Sequence, residues 1–150
     1  MLYLKFYVAN HRFIVNVFSV YQVIPWIYPI EVFNNQNGVY GLLKFRGEVL
    51  PLIDLSLLLQ KRFSKDRMNT RIIILERACE TGQCAKMGVI AERVTDTVSI
   101  DSEQFQENLI YENVNKYITK FINDDAGIMR VIDADALFEL CDFDAVNEEK

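Results

Sequence analysis

Histidine and cysteine, two residue types that often serve in catalysis or hold metals, are scarce in this sequence. It contains a single histidine, His11, and three cysteines among its 150 residues. Catalysis by His11 would need a partner group, and no Ser/His/Asp or Cys/His set can be assembled around a histidine in a predicted hairpin loop. A zinc site built on Cys79 and Cys84 would have only Cys141 and His11 to complete its four ligands. The sequence therefore predicts neither an enzyme nor a metal or other cofactor.

The cysteines and the apolar runs bear on the cellular compartment. An odd, small number of cysteines suits a reducing cytoplasm better than a disulfide framework. Cys79 and Cys84 flank a short loop of a predicted hairpin, so a reversible disulfide between them is an open alternative. No apolar run reaches the ~20 residues of a membrane span, and residues 1–5 lack the basic-then-apolar plan of a secretion signal. We therefore expect a cytoplasmic protein without direct membrane insertion.

Charge and composition exclude two further classes. The formal net charge is -5 and the lysines and arginines are scattered, whereas binding to nucleic acid needs a clustered basic face. Hydrophobic residues make up 51% of the chain and there are only 6 glycines, so disorder is not expected outside an acidic tail at about 143–150. A chain of this length forms about one domain. We expect residues 1–150 to form one folded unit with no nucleic-acid partner.

Apolar residues mostly alternate with polar ones, which is typical of strands. The period of two is set from the start by Leu2, Leu4, Phe6 and Val8. Many short strands with small helical caps are typical of paired β-barrels. Further strands are predicted at 13–17, 39–45, 71–77, 85–94, 97–100, 117–122 and 128–132, and helical segments at 54–62, 102–106 and 133–141.

The most informative segment, residues 41–59, reads GLLKFRGEVLPLIDLSLLL. Two apolar strands are predicted around a charged turn, in which Gly47 suits a position with positive φ. Pro51 indicates that the second strand is an edge strand or bends. Asp54 is expected to cap the helix that follows, because its carboxylate can accept from free backbone N–H groups. The turn would hold its charged side chains in solvent on an apolar frame, which favours a binding surface over a catalytic site.

This segment resembles the signature of the CheW-like domain, the coupling module of bacterial chemosensory arrays. The signature is an apolar strand, then Arg-Gly, apolar residues around a proline and an Asp-Leu pair, and residues 45–55 match it without a gap. Residues 88–96 are similar to the family's middle motif, and residues 128–138 to its last strand and closing helix. The resemblance implies a mainly β fold of two small five-stranded SH3-like β-barrels that share one core, with short helices. Turn or cap roles are expected for Gly47, Asp54, Gly88, Gly127 and Asp133.

A weak internal repeat agrees with two halves. Gly47 leads through an apolar strand to Asp54, and Gly127 leads likewise to Asp133. Each half therefore reads as turn, strand, Asp cap and short helix. Chance in a β-rich chain is the alternative explanation.

Two pairs of carboxylates could suggest a hydrolase. The pair Asp124-Asp125 precedes Ala-Gly and is interpreted as a β-turn. Asp133 and Asp135 are interpreted as a helix cap and first turn, where negative charge is favourable. Neither spacing indicates carboxyls opposed across a cleft, as glycoside hydrolysis requires.

The resemblance also implies a function. It indicates a non-catalytic adaptor that couples the cytoplasmic tip of a chemoreceptor, a methyl-accepting chemotaxis protein, to the regulatory domain of a CheA-type histidine kinase. Recruitment to membrane receptor arrays would follow. The alternatives are a CheW-like protein of a specialised pathway, such as pilus motility or biofilm signalling, with altered or lost kinase coupling; a self-associating structural subunit; or a small β-barrel enzyme or ligand-binding protein.

Partner-binding candidates come from the charged turn and from the aromatic segment at residues 20–28. By resemblance, Arg46 lies near the groove that contacts the receptor, where a guanidinium can make forked bonds to carboxylates or helix-end carbonyls; the alternative is a solvated arginine tied to Glu48 or Asp54. The aromatic segment is hard to bury completely in two small barrels, so part of it is expected to face a partner. The family often carries an acid at the position of the neutral Gln22, which leaves the partner open. The candidates are Arg46, Lys44, Glu48, Tyr21, Gln22, Ile24 and Trp26.

Overall fold

The fold of the computed structural model is mainly β, as the sequence predicts. It describes residues 1–33, 38–60, 68–78, 84–107 and 116–148. Short 3-10 turns occupy Val17–Ser19 and Ser102–Gln104. The helices are α1 (Leu55–Gln60) and α2 (Ala134–Glu148), and the strands are β1 (Leu2–Val8), β2 (His11–Asn16), β3 (Val20–Pro25), β4 (Glu31–Val32), β5 (Val39–Phe45), β6 (Glu48–Asp54), β7 (Arg71–Ala78), β8 (Cys84–Ala91), β9 (Arg93–Ser99), β10 (Gln106–Glu107), β11 (Ile118–Asp124) and β12 (Gly127–Ile132).

The strands of the described residues form two sheets of six. Sheet A has the order β10-β11-β12-β2-β1-β9, and sheet B has the order β4-β5-β6-β8-β7-β3. The prediction was five strands in each half. The sixth strand is in each case a two-residue edge strand, β4 or β10, which is too short to leave an alternating pattern in the sequence.

The two sheets repeat one topology. In each, a hairpin is followed by a parallel pairing, β12 with β2 in sheet A and β6 with β8 in sheet B. The backbone N–H of Asp54 donates to the Gly38 carbonyl at 2.9 Å, and that of Asp133 donates to the Tyr117 carbonyl at 2.8 Å. Each of these acceptors directly precedes the first strand of its hairpin. The weak sequence repeat therefore corresponds to a repeated supersecondary unit.

Within the part of the chain that the structure describes, one apolar cluster joins the two sheets. It contains Phe6 and Val15 from sheet A, Ile73 and Val89 from sheet B, and Phe138 from α2, all of them at most 2% exposed. Two smaller clusters belong to one sheet each, one around the strands of sheet B and one around those of sheet A. This arrangement agrees with the expected shared core.

Pro51 lies where β6 has a neighbour on only one side. It pairs with Leu42 of β5, while the parallel pairing with β8 covers Leu52 to Asp54. A residue without an N–H is tolerated there because no ladder bond on the β8 side is lost. The strand is thus an edge in its first half and internal in its second half.

The predicted strand at 85–94 is in fact two strands in different sheets. A bend at Glu92 separates β8 in sheet B from β9 in sheet A. The Glu92 backbone N–H donates to the Tyr7 carbonyl at 2.9 Å, and the Glu92 side-chain Oε1 accepts from the Ala9 N–H at 2.9 Å. The single-strand prediction was wrong because a change of sheet does not interrupt the apolar pattern.

The helix boundaries also differ from prediction. Helix α2 continues to Glu148, so the predicted helix end at residue 141 was wrong. No glycine or proline in 142–148 opposes the extension. The described part of helix α1 ends at Gln60. Within the described residues, no helix combines the length and the apolar character needed to cross a bilayer.

Candidate functional site

The charged turn between β5 and β6 is a two-residue hairpin loop. Arg46 has φ 49 and Gly47 has φ 82, and the flanking Phe45 and Glu48 are paired. Positive φ at both central positions is characteristic of a type I′ turn, whose twist matches that of the strands. Nothing lies within 4 Å of a Cβ built on Gly47, so the backbone conformation alone calls for glycine. A left-handed Arg46 carries a strain of roughly 1–2 kcal/mol.

Tyr21 meets Arg46 from the edge strand β3. The register of β3 with β7 shifts between Val20 and Gln22, which leaves Tyr21 as the extra residue of a bulge that re-aims its side chain. Arg46 Nη1 donates to the Tyr21 hydroxyl at 3.2 Å. The Arg46 Cζ lies 5.8 Å from the centroid of the Tyr21 ring and 5.2 Å from that of Phe45. The guanidinium is therefore oriented over two aromatic rings.

Lys86 on β8 also contacts this group of side chains and joins it to two carboxylates. Its Nζ lies 5.1 Å from the Tyr21 centroid, 3.8 Å from a Glu48 carboxylate oxygen and 3.6 Å from one of Glu76. Glu48 is thus paired with Lys86 and not with Arg46, and Arg46 makes no ion pair with any described residue. We refer to Tyr21, Phe45, Arg46, Glu48, Glu76 and Lys86 as the cation–aromatic cluster.

The remaining candidates lie outside this cluster. Ile24 and Trp26 are half-buried and pack against the apolar cluster of sheet B, while Gln22 is half-buried directly after the bulge. Lys44 is exposed, and strand alternation places it on the opposite face from Phe45. Among the described residues, the buried indole N–H of Trp26 has no hydrogen-bond partner.

Besides Tyr21, the aromatic segment exposes the residues that follow Trp26. Tyr28 is 79% exposed and Ile27 is 39% exposed, and the Tyr28 ring meets Trp26 edge-on at 6.1 Å between centroids. Ile30 and Val32 continue the exposed apolar surface onto the edge strand β4. Sequence reasoning assigned Val20 and Val23 of this segment to the core, where they pack, but did not separate the packed Ile24 and Trp26 from the exposed residues after them.

The two aspartates expected as caps begin the helices. Asp54 is 1% exposed, and its Oδ1 accepts from the N–H groups of Ser56 at 3.0 Å and Leu57 at 3.3 Å. Asp133 Oδ1 accepts from the Ala136 N–H at 3.2 Å. These bonds satisfy donors that have no partner inside the first turn of a helix.

Gly88 is not in a turn, contrary to expectation. It lies inside β8, where an added Cβ would be 3.0 Å from Ile72 Cγ2 and 3.0 Å from Leu52 Cδ1. The glycine is required by close packing and not by backbone conformation. Gly127 does lie at a turn, with φ 116.

The acidic turn before β12 is held by an arginine from β2. Arg12 Nη2 and Nη1 donate to Asp124 Oδ1 and Oδ2 at 2.6 and 3.1 Å, and Asp124 Oδ1 also accepts from the Ala126 N–H at 2.9 Å. The hydrogen bond from Arg12 lowers the pKa of Asp124, and the same contact raises the pKa of Arg12. The interpretation as a turn agrees with this geometry.

Other chemical candidates are not assembled into a site. His11 is exposed at the start of β2, next to a turn formed by Ala9 and Asn10. In the described part of the chain, no three His, Cys, Asp or Glu side chains are grouped to hold a metal ion. Cys84 is exposed, while Cys79 lies outside the described residues.

Sequence reasoning missed three members of the cation–aromatic cluster. Phe45 was treated only as part of an apolar strand, and Glu76 and Lys86 received no role. Glu76 and Lys86 are cross-strand partners in the β7–β8 hairpin. The sequence does not fix this pairing, because the connection between the two strands is long enough to allow more than one register. The available signal for this pair was that Glu76 and Lys86 carry opposite charges and lie at similar sequence distances before Cys79 and after Cys84.

Comparisons with known proteins agree on the fold and the family. The family model of the CheW-like domain matches residues 2–141. Among solved structures, the chain is similar to the crystal structure of the scaffolding protein TtCheW from Thermoanaerobacter tengcongensis, with 20% sequence identity and a TM-score of 0.74 over 88% of this chain and 83% of that chain. A search of curated proteins found no match. The extent of the family match shows that this chain belongs to the CheW-like domain family.

Proposed function

We propose that this protein is a non-catalytic adaptor that couples a chemoreceptor to a CheA-type histidine kinase. Family membership supplies the class, a CheW-like scaffold. The observation that supports a binding role most directly is the state of Arg46. Its guanidinium is exposed, held over two rings and free of any ion pair with the described residues. A cation in this state is available to a partner's acceptor groups.

The Arg46 contact fits the end of a receptor helical hairpin. The planar guanidinium can make forked bonds to a carboxylate or to the carbonyls that end a helix. Because Tyr21 and the left-handed turn already restrict the side chain, less rotamer freedom is lost on binding. Tyr21, which is 43% exposed, would add an aromatic anchor to the contact.

The second partner, the regulatory domain of the kinase, would use a different surface. The exposed apolar residues Ile27, Tyr28, Ile30 and Val32 provide one on the side of sheet B that ends in β4. Each contact would be of modest size, and repetition of adaptors in an array would supply avidity that a single contact lacks. Signal transfer requires that the adaptor bind the two receptor states with different affinities. Such a protein would act in the cytoplasm, recruited to receptor arrays in the membrane.

Two alternatives have specific support. The neutral Gln22 beside the bulge favours a specialised pathway, such as pilus motility or biofilm signalling. The family often has an acidic residue at this position, and an acidic side chain would attract a different partner surface than glutamine does. The exposed apolar strip near β4 favours self-association, because edge strands with exposed apolar side chains pair readily. Light scattering on the purified chain separates self-association from the adaptor role.

The test is capture of the protein on beads that carry a receptor cytoplasmic hairpin. Arg46→Glu is expected to reduce capture by about tenfold or more, because it replaces a charge-assisted bond by repulsion, with an unchanged melting temperature. Lys116→Glu is the matched control, since Lys116 is also an exposed cation stacked on a ring, that of Tyr117. Equal capture of both variants would reject the proposed receptor contact.

A further inference from the structure

Two cations of the cation–aromatic cluster lie beside the same aromatic ring but have different partners. The centroid of the Tyr21 ring is 5.8 Å from the Arg46 Cζ and 5.1 Å from the Lys86 Nζ. The Lys86 ammonium is paired with the carboxylates of Glu48 and Glu76. Arg46 is paired with neither of them, nor with any other described residue. The cluster therefore divides its charges unequally, with both carboxylates at Lys86.

The difference in burial explains this division. The Lys86 side chain is 15% exposed, whereas Arg46 is an exposed residue of the turn. A Coulomb attraction is stronger where little water screens it, and a half-buried ammonium is costly unless carboxylates compensate its charge. Glu48 is therefore held more strongly by Lys86 than it would be by the solvated Arg46.

Glu48 nevertheless has Arg46 within reach. Phe45 and Glu48 are directly opposite each other in the β5–β6 hairpin, so their side chains leave the same face of the sheet with Cβ atoms roughly 4.5–5.5 Å apart. The Arg46 guanidinium lies over that same Phe45 ring, with its Cζ 5.2 Å from the ring centroid. A Glu48 carboxylate without another partner can therefore turn toward the guanidinium and form an ion pair with it.

The strand register places Lys86 on the face that Glu48 shares. Leu52 of β6 is paired in parallel with Gly88 of β8, and Glu48 and Lys86 precede these two residues by even numbers of positions. Because side chains alternate along a strand, both belong to the face of Leu52 and Gly88. Lys86 and Arg46 thus compete for one carboxylate on one face of sheet B.

We propose that Lys86 is a positioning residue that occupies the Glu48 carboxylate and thereby keeps the Arg46 guanidinium free for an acceptor group of a partner. Lys86 has this effect on partner binding only if Arg46 makes the proposed receptor contact, on which the inference rests. The apparent affinity for a partner falls in proportion to the fraction of molecules in which Arg46 is free. Loss of the charge on Lys86 should therefore weaken binding although Arg46 itself is unchanged.

The first measurement is the rate at which phenylglyoxal modifies Arg46, followed by peptide mass spectrometry on the full chain without a receptor. Lys86→Gln should slow this modification about twofold to fourfold, the range expected for an exposed ion pair. The double variant Lys86→Gln/Glu48→Gln should restore the rate, and Lys86→Arg, which keeps the charge, should retain it. Arg93, an exposed arginine over the Tyr7 ring of sheet A, is the internal reference and should react at a constant rate.

The second measurement is capture of the same variants on beads that carry a receptor cytoplasmic hairpin. Lys86→Gln is expected to weaken capture about twofold to fourfold, and adding Glu48→Gln should restore it. Lys5→Gln is the matched control, because Lys5 of sheet A is also a half-buried lysine, paired with the exposed carboxylate of Asp96 at 3.4 Å. Melting temperatures verify folding, and Lys86→Met repeats the charge removal with an apolar side chain that can pack on Tyr21.

Three outcomes would overturn the inference. One is a modification rate of Arg46 that is unchanged in both Lys86→Gln and Lys86→Met. The others are restoration by Glu76→Gln and not by Glu48→Gln, and an equal loss of capture in Lys5→Gln. Capture that does not depend on Arg46 would reject the receptor contact alone, because the modification rates are measured without a receptor.

Discussion

Arg12 and Asp124 form a two-bond ion pair that joins the two hairpins of sheet A across 112 positions of sequence. The pair links the start of β2 to the end of β11, on either side of the parallel pairing between β2 and β12. The unit repeated in sheet B has no counterpart among its described ion pairs at this position. Among the described residues, this electrostatic contact between hairpins is therefore a feature of sheet A and not of sheet B.

The pair makes stability depend on acidity. Because the hydrogen bond from Arg12 lowers the pKa of Asp124 in the folded state, its stabilising effect is complete above the unfolded value of about 3.9 and is lost as the pH falls through the lower folded value. We expect Asp124→Asn to reduce the steepness with which the melting temperature falls below about pH 4. Asp125→Asn, on the neighbouring exposed residue, is the control. Identical acid profiles for wild type and Asp124→Asn would contradict the assignment.

Gly88→Ala should destabilise the protein through overpacking. The added methyl group would lie 3.0 Å from side-chain carbons of both Leu52 and Ile72, and these belong to a buried cluster that has little room to adjust. We expect a loss of about 1–3 kcal/mol in the free energy of unfolding, measured by urea titration. Gly47→Ala is a useful comparison, since it meets no atoms and is opposed only by its positive φ. A neutral Gly88→Ala would show that the strand shifts to accept the methyl group.

The buried cap at α1 gives a third prediction. Asp54→Ala removes the acceptor for the N–H groups of Ser56 and Leu57 at a position that water does not reach. We expect a loss of about 1–2 kcal/mol or more in urea unfolding. Asp54→Asn keeps an oxygen acceptor and should lose less. Equal losses in the two variants would indicate that the charge, and not the cap, is what matters.

The aromatic segment should divide into a structural part and a binding part. Trp26 packs in the apolar cluster of sheet B, so Trp26→Ala is expected to lower stability by about 2 kcal/mol, less than for a fully buried tryptophan. Tyr28 is 79% exposed, and Tyr28→Ala should leave the melting temperature unchanged while weakening capture of a kinase regulatory domain. A large fall in stability for Tyr28→Ala would assign this side chain to the fold.

Local features of the site could be predicted from the sequence because they depend on neighbouring residues. The turn at Gly47 and the caps at Asp54 and Asp133 follow from residue type and position within the strand–helix pattern. The contact of Tyr21 with Arg46 could not be predicted, because it requires both the bulge in β3 and the order of strands in sheet B. The same is true of Lys86, whose pairing with Glu48 crosses from β8 to β6.

The fold shows the same division between local and long-range information. Alternation predicted most strands, yet it gave no sign that the chain changes sheet at Glu92, since both sheets bury the same kinds of side chain. Gly88 was expected in a turn or cap role from the resemblance of residues 88–96 to the family's middle motif. Glycine is required at this position because Ile72 of β7 and Leu52 of β6 approach it closely. Both residues lie on other strands, far from Gly88 in the sequence, so the sequence pattern around Gly88 does not show this contact.

The most direct test of the adaptor claim is a bridging measurement. Beads carrying a receptor cytoplasmic hairpin are incubated with a kinase regulatory domain, with and without this protein, and the retained kinase domain is quantified. Our account predicts retention only when the protein is present, and its loss with Arg46→Glu but not with Lys116→Glu. Retention that is the same without the protein, or binding of the protein to neither partner, would contradict it.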